Sequence, residues 1–495
     1  MLSEPPREDE YDETTSLLSH NTPHPAPSAR PRWILALLVF GIITVDFGGY
    51  LSLAPQIEIF ESIICRNLHP EIASATTKDA IDAVCKGPDV QGELALLIGW
   101  REMLDVLPGI ILALPYGLMA DRIGRKSVLL LCLLGLVMEE VMVRVIAWYS
   151  AYIPLRAVWF MSIFQLCGGG AQIATSMVLT MITDVFSVEK RANIFFLIQG
   201  AVLLAEIMAT SLSAWLMGWT PWLPFLLGVA VELCGLLAAF TVPETQRKST
   251  ALSEDGTEDN TDDDDADENS QSASHRVKVR LGHVWRQITH HSRFILGNRN
   301  IVCISIASLT TAVGPQSVQI MLQYVSKRFA WSMAKASFLV SLKGIVSLSA
   351  LLLILPIISN ALDKYLPPIR RDLRISLGSV ALLTSGNILM ALAPEPIAFA
   401  VGLSTSALGG GFYAALRSVA TALVEESEMA LLSTTIALMQ GIGGIVSGPL
   451  LAGMLRSGLS LGGIWLGLPY LTAGVLYVMA SWATVAIRIP SGWRE

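Results

Sequence analysis

The stretch Gly117-Leu-Met-Ala-Asp-Arg-Ile-Gly-Arg-Lys126 lies between two long apolar segments, residues 94–119 and 128–146. Its charged residues are Asp121, Arg122, Arg125 and Lys126. The link is too short for a domain and too polar for lipid, so the sequence predicts two membrane helices joined by a tight, charged hairpin. We expect Gly117 to let the two backbones approach, and Gly124 to adopt a positive φ if the turn needs it.

The composition excludes a soluble globular protein, because 53% of the 495 residues are hydrophobic and only 15% are charged. About 20 apolar residues are needed to cross a bilayer core. Twelve segments satisfy this condition: 33–54, 95–119, 128–148, 153–182, 193–217, 223–242, 301–325, 336–357, 373–392, 397–423, 431–455 and 462–487. The predicted fold class is therefore an all-α membrane protein with twelve transmembrane helices.

The charge distribution indicates the orientation of these spans. The net charge of −7 arises in residues 254–268, which hold ten acidic and no basic residues, leaving 34 basic against 31 acidic residues elsewhere. Lys and Arg concentrate on the side of the N-terminus, which places both termini in the cytoplasm. Nothing in this balance points to nucleic acid as a partner.

The hairpin stretch resembles the loop signature G-x-L-A-D-R-x-G-R-K of the major facilitator superfamily of secondary transporters, with Met119 in place of Leu. The links at residues 184–192 and 243–245 also resemble that family's pattern. The resemblance covers roughly residues 33–488. It implies two six-helix pseudo-repeats, and it implies a gating role for the motif residues Gly117, Asp121, Arg122, Gly124, Arg125 and Lys126.

Internal spacing supports a duplication. Gly168-Gly-Gly170 precedes Gln199-Gly200 by 31 residues, and Gly409-Gly-Gly411 precedes Gln440-Gly441 by the same interval. We therefore divide the chain into a disordered cytoplasmic tail (1–32), an N-terminal six-helix bundle (33–245), a cytoplasmic linker with the acidic run (246–298), a C-terminal six-helix bundle (299–488) and a short cytoplasmic tail (489–495).

Ionisable residues within the spans are the candidates for function, because a charge at the bilayer centre costs at least about 2.5–3.5 kcal/mol. Asp46 and Glu206 are the candidates for proton coupling, since the resemblance places their spans on a central cavity. Asp46 is followed by Gly48-Gly49, which we expect to let the helix bend. The alternative for Asp46 is a structural hydrogen bond to a neighbouring helix.

Candidates for the substrate cavity are Arg101, Asp105, Gln165, Lys343 and Arg417. Lys343 is the deeper of the last two; Arg417 lies near the inner face, where the alternative is that its side chain extends to the membrane surface. Arg101 and Asp105 are four residues apart, so they can instead pair with each other on one helix face. The resemblance places spans three, six, nine and twelve outside the cavity, which makes Glu139, Glu140 and Glu232 structural. Two departures weaken the case for an exporter: Ser162 stands where the family often has Arg, and the glycine-rich run 444–449 lies in span eleven instead of span five.

Two further features bear on location. Glu13, Leu17 and Leu18 resemble an acidic dileucine signal read by sorting adaptors, which implies a vacuolar or endosomal membrane; a chance match leaves the plasma membrane open. Cys65 and Cys85 share the first outer loop, predicted over residues 55–92, and either form a disulfide or remain free thiols.

The sequence contains no nucleophile, phosphate-loop or metal-ligand pattern, so it predicts no enzyme, no metal site and no cofactor. It favours a monomeric secondary active transporter that moves a small organic solute by alternating access, coupled to protons. The alternatives are a nutrient or vitamin facilitator or symporter, and a non-transporting receptor or scaffold with the same fold.

Overall fold

A computed structural model of the chain describes residues 30–71, 83–186, 188–244, 297–424 and 428–489. Within these ranges the chain forms twelve helical spans, named here α1 to α12. They are α1 Arg30–Leu68, α2 Pro88–Ile123, α3 Arg125–Trp148, α4 Leu155–Val185, α5 Val188–Met217, α6 Trp222–Thr241, α7 Arg299–Phe329, α8 Met333–Asp363, α9 Pro368–Leu392, α10 Pro396–Ala422, α11 Met429–Leu461 and α12 Gly463–Val485. The dileucine residues and the acidic run lie outside the described residues.

Eleven of these spans are long and apolar enough to cross a membrane. The exception, α3, carries Glu139, Glu140 and Arg144 in its second half, besides Arg125 and Lys126 at its start. The number of these charges, and not a lack of length, sets α3 apart from the other spans. It packs among the other spans, so it completes the predicted set of twelve.

Several spans consist of more than one helical piece. In α4, a 3-10 helix Leu155–Leu166 is followed by an α-helix Gly170–Val185. In α10, a 3-10 turn Gly409–Gly411 joins two α-helices, Pro396–Leu408 and Phe412–Ala422. The two glycine triplets of the predicted repeat therefore interrupt corresponding helices of the two halves.

The remaining composite spans are α7, α8 and α12. Span α7 consists of the α-helices Arg299–Thr310 and Val313–Phe329. Span α8 consists of an α-helix Met333–Ser349, a π-helical turn Ala350–Ile354 and an α-helix Leu355–Asp363. Span α12 consists of a 3-10 turn Gly463–Gly467 followed by an α-helix Leu468–Val485.

Gly168 shows why glycine is needed at the break in α4. Its φ is 108°, in the region that favours glycine. A side chain there would lie 2.3 Å from the backbone nitrogen of Cys132 in α3. The triplet thus combines a backbone break with close packing of α4 on α3.

The two faces of the bundle are distinguished by their loops. We call the face with the Cys65–Cys85 disulfide the disulfide side, and the face with the turn between α2 and α3 the hairpin side. On the disulfide side, the His69 ring bonds to the Asp89 carboxylate at 2.7 Å and to that of Glu71 at 3.1 Å. The ring therefore links the end of α1 to the start of α2.

The first loop is shorter than the sequence predicted, because α1 continues past Pro55 to Leu68. Ile57, Phe60 and Ile64 in this extension are buried against the other helices. A membrane helix tolerates an internal proline where its neighbours satisfy the freed backbone group. The prediction of a loop beginning at Pro55 was wrong for this reason.

The two halves meet on the disulfide side. A side chain at Gly99 of α2 would lie 2.5 Å from the Ala452 Cβ of α11, and one at Gly448 would lie 2.7 Å from the Gly99 carbonyl oxygen. The glycine-rich run of α11 therefore packs directly on α2, as small residues at this spacing permit. Nearby, Lys86 Nζ donates to the Trp331 carbonyl at 3.1 Å.

Candidate functional site

A cavity of about 1400 Å³ lies between the two halves. The candidates Asp46, Arg101, Asp105, Gln165, Glu206 and Lys343 all lie on its wall. Its wall also includes Glu139 and Glu140 of α3, Glu232 of α6, Asn387 of α9 and Tyr470 of α12. The expectation that spans three, six, nine and twelve stand outside the cavity was therefore wrong, because the space extends sideways into each half.

Glu206 and Lys343 form an ion pair across the two halves. Lys343 Nζ of α8 lies 2.8 Å from Glu206 Oε1 of α5, whose side chain is 3% exposed. Next to this pair, the Ser341 hydroxyl lies 2.7 Å from that of Thr210 and 3.0 Å from that of Ser211. The structure thus joins two residues that the sequence had placed in separate roles. We call this contact the inter-half pair.

Asp46 of α1 lies beside the inter-half pair. Its carboxylate has no hydrogen bond or salt bridge within the part of the chain that the structure describes, and its charge repels that of Glu206. Gly49 faces open space, whereas a side chain at Gly48 would lie 2.6 Å from the Gly228 carbonyl of α6. The α-helix continues through both glycines without a break, and Gly48 serves close packing on α6.

Arg101 of α2 lies at the centre of a second set of charges. Its Nη2 lies 2.9 Å from Glu140 Oε1 and 3.7 Å from Glu139 Oε1, and its Nε lies 3.4 Å from Asp105 Oδ2. Glu140 also forms an ion pair with Arg144 one turn along α3. The predicted pairing of Arg101 with Asp105 is present, within a larger network.

Hydrogen bonds from neighbouring spans complete this network. Gln165 of α4 donates to Glu139, and Ser162 donates to Asp105. The cation near Asp105 is Arg101 of α2. Glu102, next to Arg101, accepts from Gln316 Nε2 of α7 at 3.4 Å. The network therefore reaches the second half.

Sequence reasoning missed the contribution of α3 to the cavity. Its signal was present: Glu140 and Arg144 are four residues apart within a span, and a charged pair at that spacing needs a polar neighbour in the bundle. Arg144 Nη2 donates to Ser52 of α1 at 2.7 Å and Nε donates to the Phe225 carbonyl at 3.0 Å.

Arg417 was predicted to face the cavity, and this was wrong. Its side chain is exposed, donates to the Tyr413 hydroxyl at 3.1 Å and does not contribute to the cavity wall. It lies one turn beyond Tyr413 on α10, and Tyr413 occupies the wall position in its place. The polar wall residues Asn387 and Tyr470 were missed, since a single amide or phenol in an apolar span is a weak signal.

The hairpin motif contacts the ends of two other spans. Arg125 forms an ion pair with Asp184 at the end of α4, and Lys126 Nζ donates to the Phe240 carbonyl of α6 at 2.8 Å. The Glu244 carboxylate accepts from the backbone nitrogens of Arg125 and Lys126, both at 3.2 Å. A carboxylate there stabilises the N-terminus of α3.

The two motif glycines differ in role. Gly124 has a φ of 106°, and a side chain there would lie 2.3 Å from Glu244 Oε2, so only glycine fits. A side chain at Gly117 would meet nothing within 4 Å, so the expected close approach at this residue is absent. Asp121 and Arg122 are exposed at the end of α2.

Two bundles of membrane-spanning helices with a cavity between them have the architecture of a transporter. Residues 87–448 match the sequence model of the Major Facilitator Superfamily, and the chain belongs to this family. It is accordingly a multi-pass membrane transporter and not an enzyme.

Similar proteins support this assignment. The chain is 32% identical to the MFS efflux pump atnC of Emericella nidulans, over 92% of this chain and 88% of that protein. It is 34% identical to the efflux pump ustT of Aspergillus flavus, over 92% and 89%. Among solved structures, the nucleoside transporter NupG superposes with a TM-score of 0.62 at 14% identity, covering 92% of this chain and 99% of that one, which shows the shared fold.

Proposed function

We propose that this transporter exports a small organic solute in exchange for protons, by alternating access. The observation that carries the proposal is that the Asp46 carboxylate, which has no partner among the described residues, shares the cavity wall with the inter-half pair of Glu206 and Lys343. Coupling requires a proton-binding group that interacts electrostatically with the pair joining the two halves, because proton binding then changes the relative stability of two conformations.

The electrostatics give the direction of this coupling. An ionised Asp46 repels Glu206 and raises the free energy of the conformation in which Glu206 is buried. A protonated Asp46 removes that repulsion and favours closure at the inter-half pair. Loss of the proton therefore favours opening of the disulfide side, and gain of a proton favours the closed arrangement described above.

This direction fits an exporter whose hairpin side faces the cytoplasm. The solute enters from the hairpin side, Asp46 releases its proton there, and the disulfide side opens to release the solute. A proton then binds Asp46 from the disulfide side and returns the protein to the closed arrangement. The placement of Lys and Arg supports this orientation, as does a disulfide on the opposite face, since disulfides persist in oxidising compartments.

The two relatives described as efflux pumps support export over uptake. The cavity wall supports an organic solute, because apolar side chains such as Val106, Leu136 and Leu351 lie on it among the polar groups. We expect the solute to be uncharged or weakly anionic and amphipathic. The membrane is the plasma membrane, or a vacuolar or endosomal one if the dileucine residues act as a signal.

The test is transport by purified protein reconstituted into vesicles, with a solute selected first by thermal stabilisation of the protein. The wild-type protein should accumulate that solute when a pH difference is imposed. The Asp46→Asn variant should exchange solute across the membrane but lose accumulation. Glu93→Gln is the matched control, because Glu93 pairs with Arg156 at the surface of the same half.

Wild-type accumulation in Asp46→Asn would exclude Asp46 as the coupling group and leave the other cavity carboxylates as candidates. Solute movement that is unaffected by an imposed pH difference in the wild-type protein would indicate a facilitator. Absence of transport for every stabilising compound would support the receptor alternative.

A further inference from the structure

Seven buried side-chain atoms of the C-terminal half have no hydrogen-bond partner among the described residues. Two of them lie on the wall of the transport cavity. They are Oδ1 of Asn387 in α9 and the hydroxyl oxygen of Tyr470 in α12. Both side chains are 2% exposed, and both lie on the wall of the transport cavity. Buried polar atoms in native proteins are nearly always paired, so two unpaired atoms on one cavity wall call for a physical explanation.

The helices around these atoms fix their positions. Asn387 Nδ2 donates to the Leu383 carbonyl at 2.8 Å and lies 3.4 Å from the Ser406 hydroxyl of α10. These contacts orient the amide so that Oδ1 is the atom without a partner. On α12, a side chain at Gly474 would lie 3.9 Å from the Asn387 Cβ, which places α12 directly against this part of α9.

Tyr470 precedes Gly474 by one helical turn and belongs to a cluster of aromatic rings. Its ring centroid lies 5.0 Å from that of Tyr324 and 5.5 Å from that of Phe399, both in edge-to-face arrangements. The rings hold the phenol in place, and its hydroxyl keeps an unused donor and acceptor. We call this part of the cavity wall, formed by α9, α10 and α12, the α9–α12 pocket. Its wall residues are Asn387, Met390, Leu403, Ser406, Tyr470 and Tyr477.

The chemistry of this pocket differs from that of the opposite wall. None of its six wall residues carries a charge, whereas the N-terminal half presents Arg101 and several carboxylates. Asn387 offers an acceptor, the Tyr470 hydroxyl offers a donor, and the rings favour edge or face contact with another aromatic group. A ligand that pairs both atoms also removes the free-energy cost of leaving them unpaired.

We infer that the α9–α12 pocket binds a neutral aromatic group that carries both a hydrogen-bond donor and an acceptor, as in an aryl amide. The ligand N–H donates to Asn387 Oδ1, and its carbonyl oxygen accepts from the Tyr470 hydroxyl. The inference deepens the proposed function, on which it rests, because it assigns this group to the exported solute. Binding is nevertheless measurable without transport.

The experiment uses the full chain in lipid nanodiscs and 4-fluorobenzamide as the probe, with binding followed by ¹⁹F NMR line broadening. Fluorobenzene, which lacks the amide, corrects for partition into lipid and apolar surfaces. Tyr470→Phe removes only the hydroxyl, and Asn387→Leu removes the acceptor. Tyr324→Phe is the matched control, because Tyr324 is buried in the same ring cluster but does not line the cavity.

Loss of one neutral hydrogen bond should weaken probe binding by about three- to tenfold in each of the two pocket variants. Tyr324→Phe should bind as the wild-type protein does. Since the Tyr470 hydroxyl has no partner among the described residues, Tyr470→Phe should melt at the wild-type temperature or above it. A purely structural role for the hydroxyl would instead lower the melting temperature.

The inference is overturned if the wild-type protein binds the amide no better than fluorobenzene, or if both pocket variants bind it as tightly as the wild type. Equal weakening in Tyr324→Phe would also overturn it. Each of these results concerns the pocket alone. Proton-driven transport would remain to be decided by the vesicle assay with Asp46→Asn.

Discussion

Neutralising one partner of the inter-half pair should shift the balance between the two conformations of the transporter. In the closed arrangement, Glu206→Gln leaves the Lys343 ammonium without its carboxylate in a low-dielectric site. Removing one partner from a buried pair costs about 3–5 kcal/mol. Lys343 is 26% exposed, so we expect a value near the lower end, about 3 kcal/mol.

When the disulfide side opens, water reaches both groups and the cost falls away. The variant should therefore favour the open arrangement by about a hundredfold over the wild-type protein, since about 1.4 kcal/mol corresponds to tenfold. Glu206→Gln combined with Lys343→Met removes both charges and should recover most of the wild-type balance.

The assay is the distance between spin labels on two exposed residues of different halves on the disulfide side. They are Tyr152, in the loop between α3 and α4, and Ile464, in the 3-10 turn that begins α12. The labelled protein carries Ser in place of Cys167 and Cys234, the free cysteines that are not buried. Arg156→Gln is the control, because its partner Glu93 lies in the same half and a surface pair contributes about 0–1 kcal/mol. Wild-type distances in Glu206→Gln would refute the reasoning.

Three further predictions follow from the described contacts and the sequence. Asp121→Asn should slow transport at normal surface expression, because its carboxylate is expected to dock at the N-terminus of α11 when the hairpin side closes; wild-type rates would exclude this gating role. Replacing Leu17 and Leu18 with Ala should move the protein from an internal membrane to the cell surface, as followed by microscopy of a tagged chain, and an unchanged distribution would mark the motif as accidental. The hydrogen bond to Asp89 raises the pKa of His69. The protonated ring therefore stabilises the folded protein below about pH 6.5, and this stabilisation is lost as pH rises through the raised pKa. The melting temperature of His69→Gln should therefore fall further below that of the wild type at about pH 5.5 than at about pH 8.5, and a constant difference would contradict this.

The fold was predictable because its signals are local. Apolar length identified the spans, and the spacing of the glycine triplets indicated the duplication; the structure then shows a helix break at each triplet. The hairpin was identified by ten consecutive residues. Each of these signals is contained in a short stretch of chain, so no knowledge of tertiary contacts was needed.

The site was predictable only in part, because partners depend on contacts between distant spans. Hydrophobic pattern placed Glu206 and Lys343 at membrane depth, but nothing in the sequence indicates that residues in different halves pair. The same limit explains the wrong prediction for Arg417. Its position along the span could be read from the sequence, but the direction in which its side chain points could not. Gly117 was assigned a packing role by its motif, yet the space beside it is open in this arrangement.

The charges of α3 also have a consequence for how the chain enters the membrane. Glu139, Glu140 and Arg144 would each cost about 2.5–3.5 kcal/mol at the centre of a helix inserted alone. Their partners, Arg101 of α2, Ser52 of α1 and Gln165 of α4, are synthesised on either side of this helix. During biogenesis, α3 therefore has to pass from the translocon into lipid together with its neighbours, and the short hairpin keeps α2 beside it while it does so.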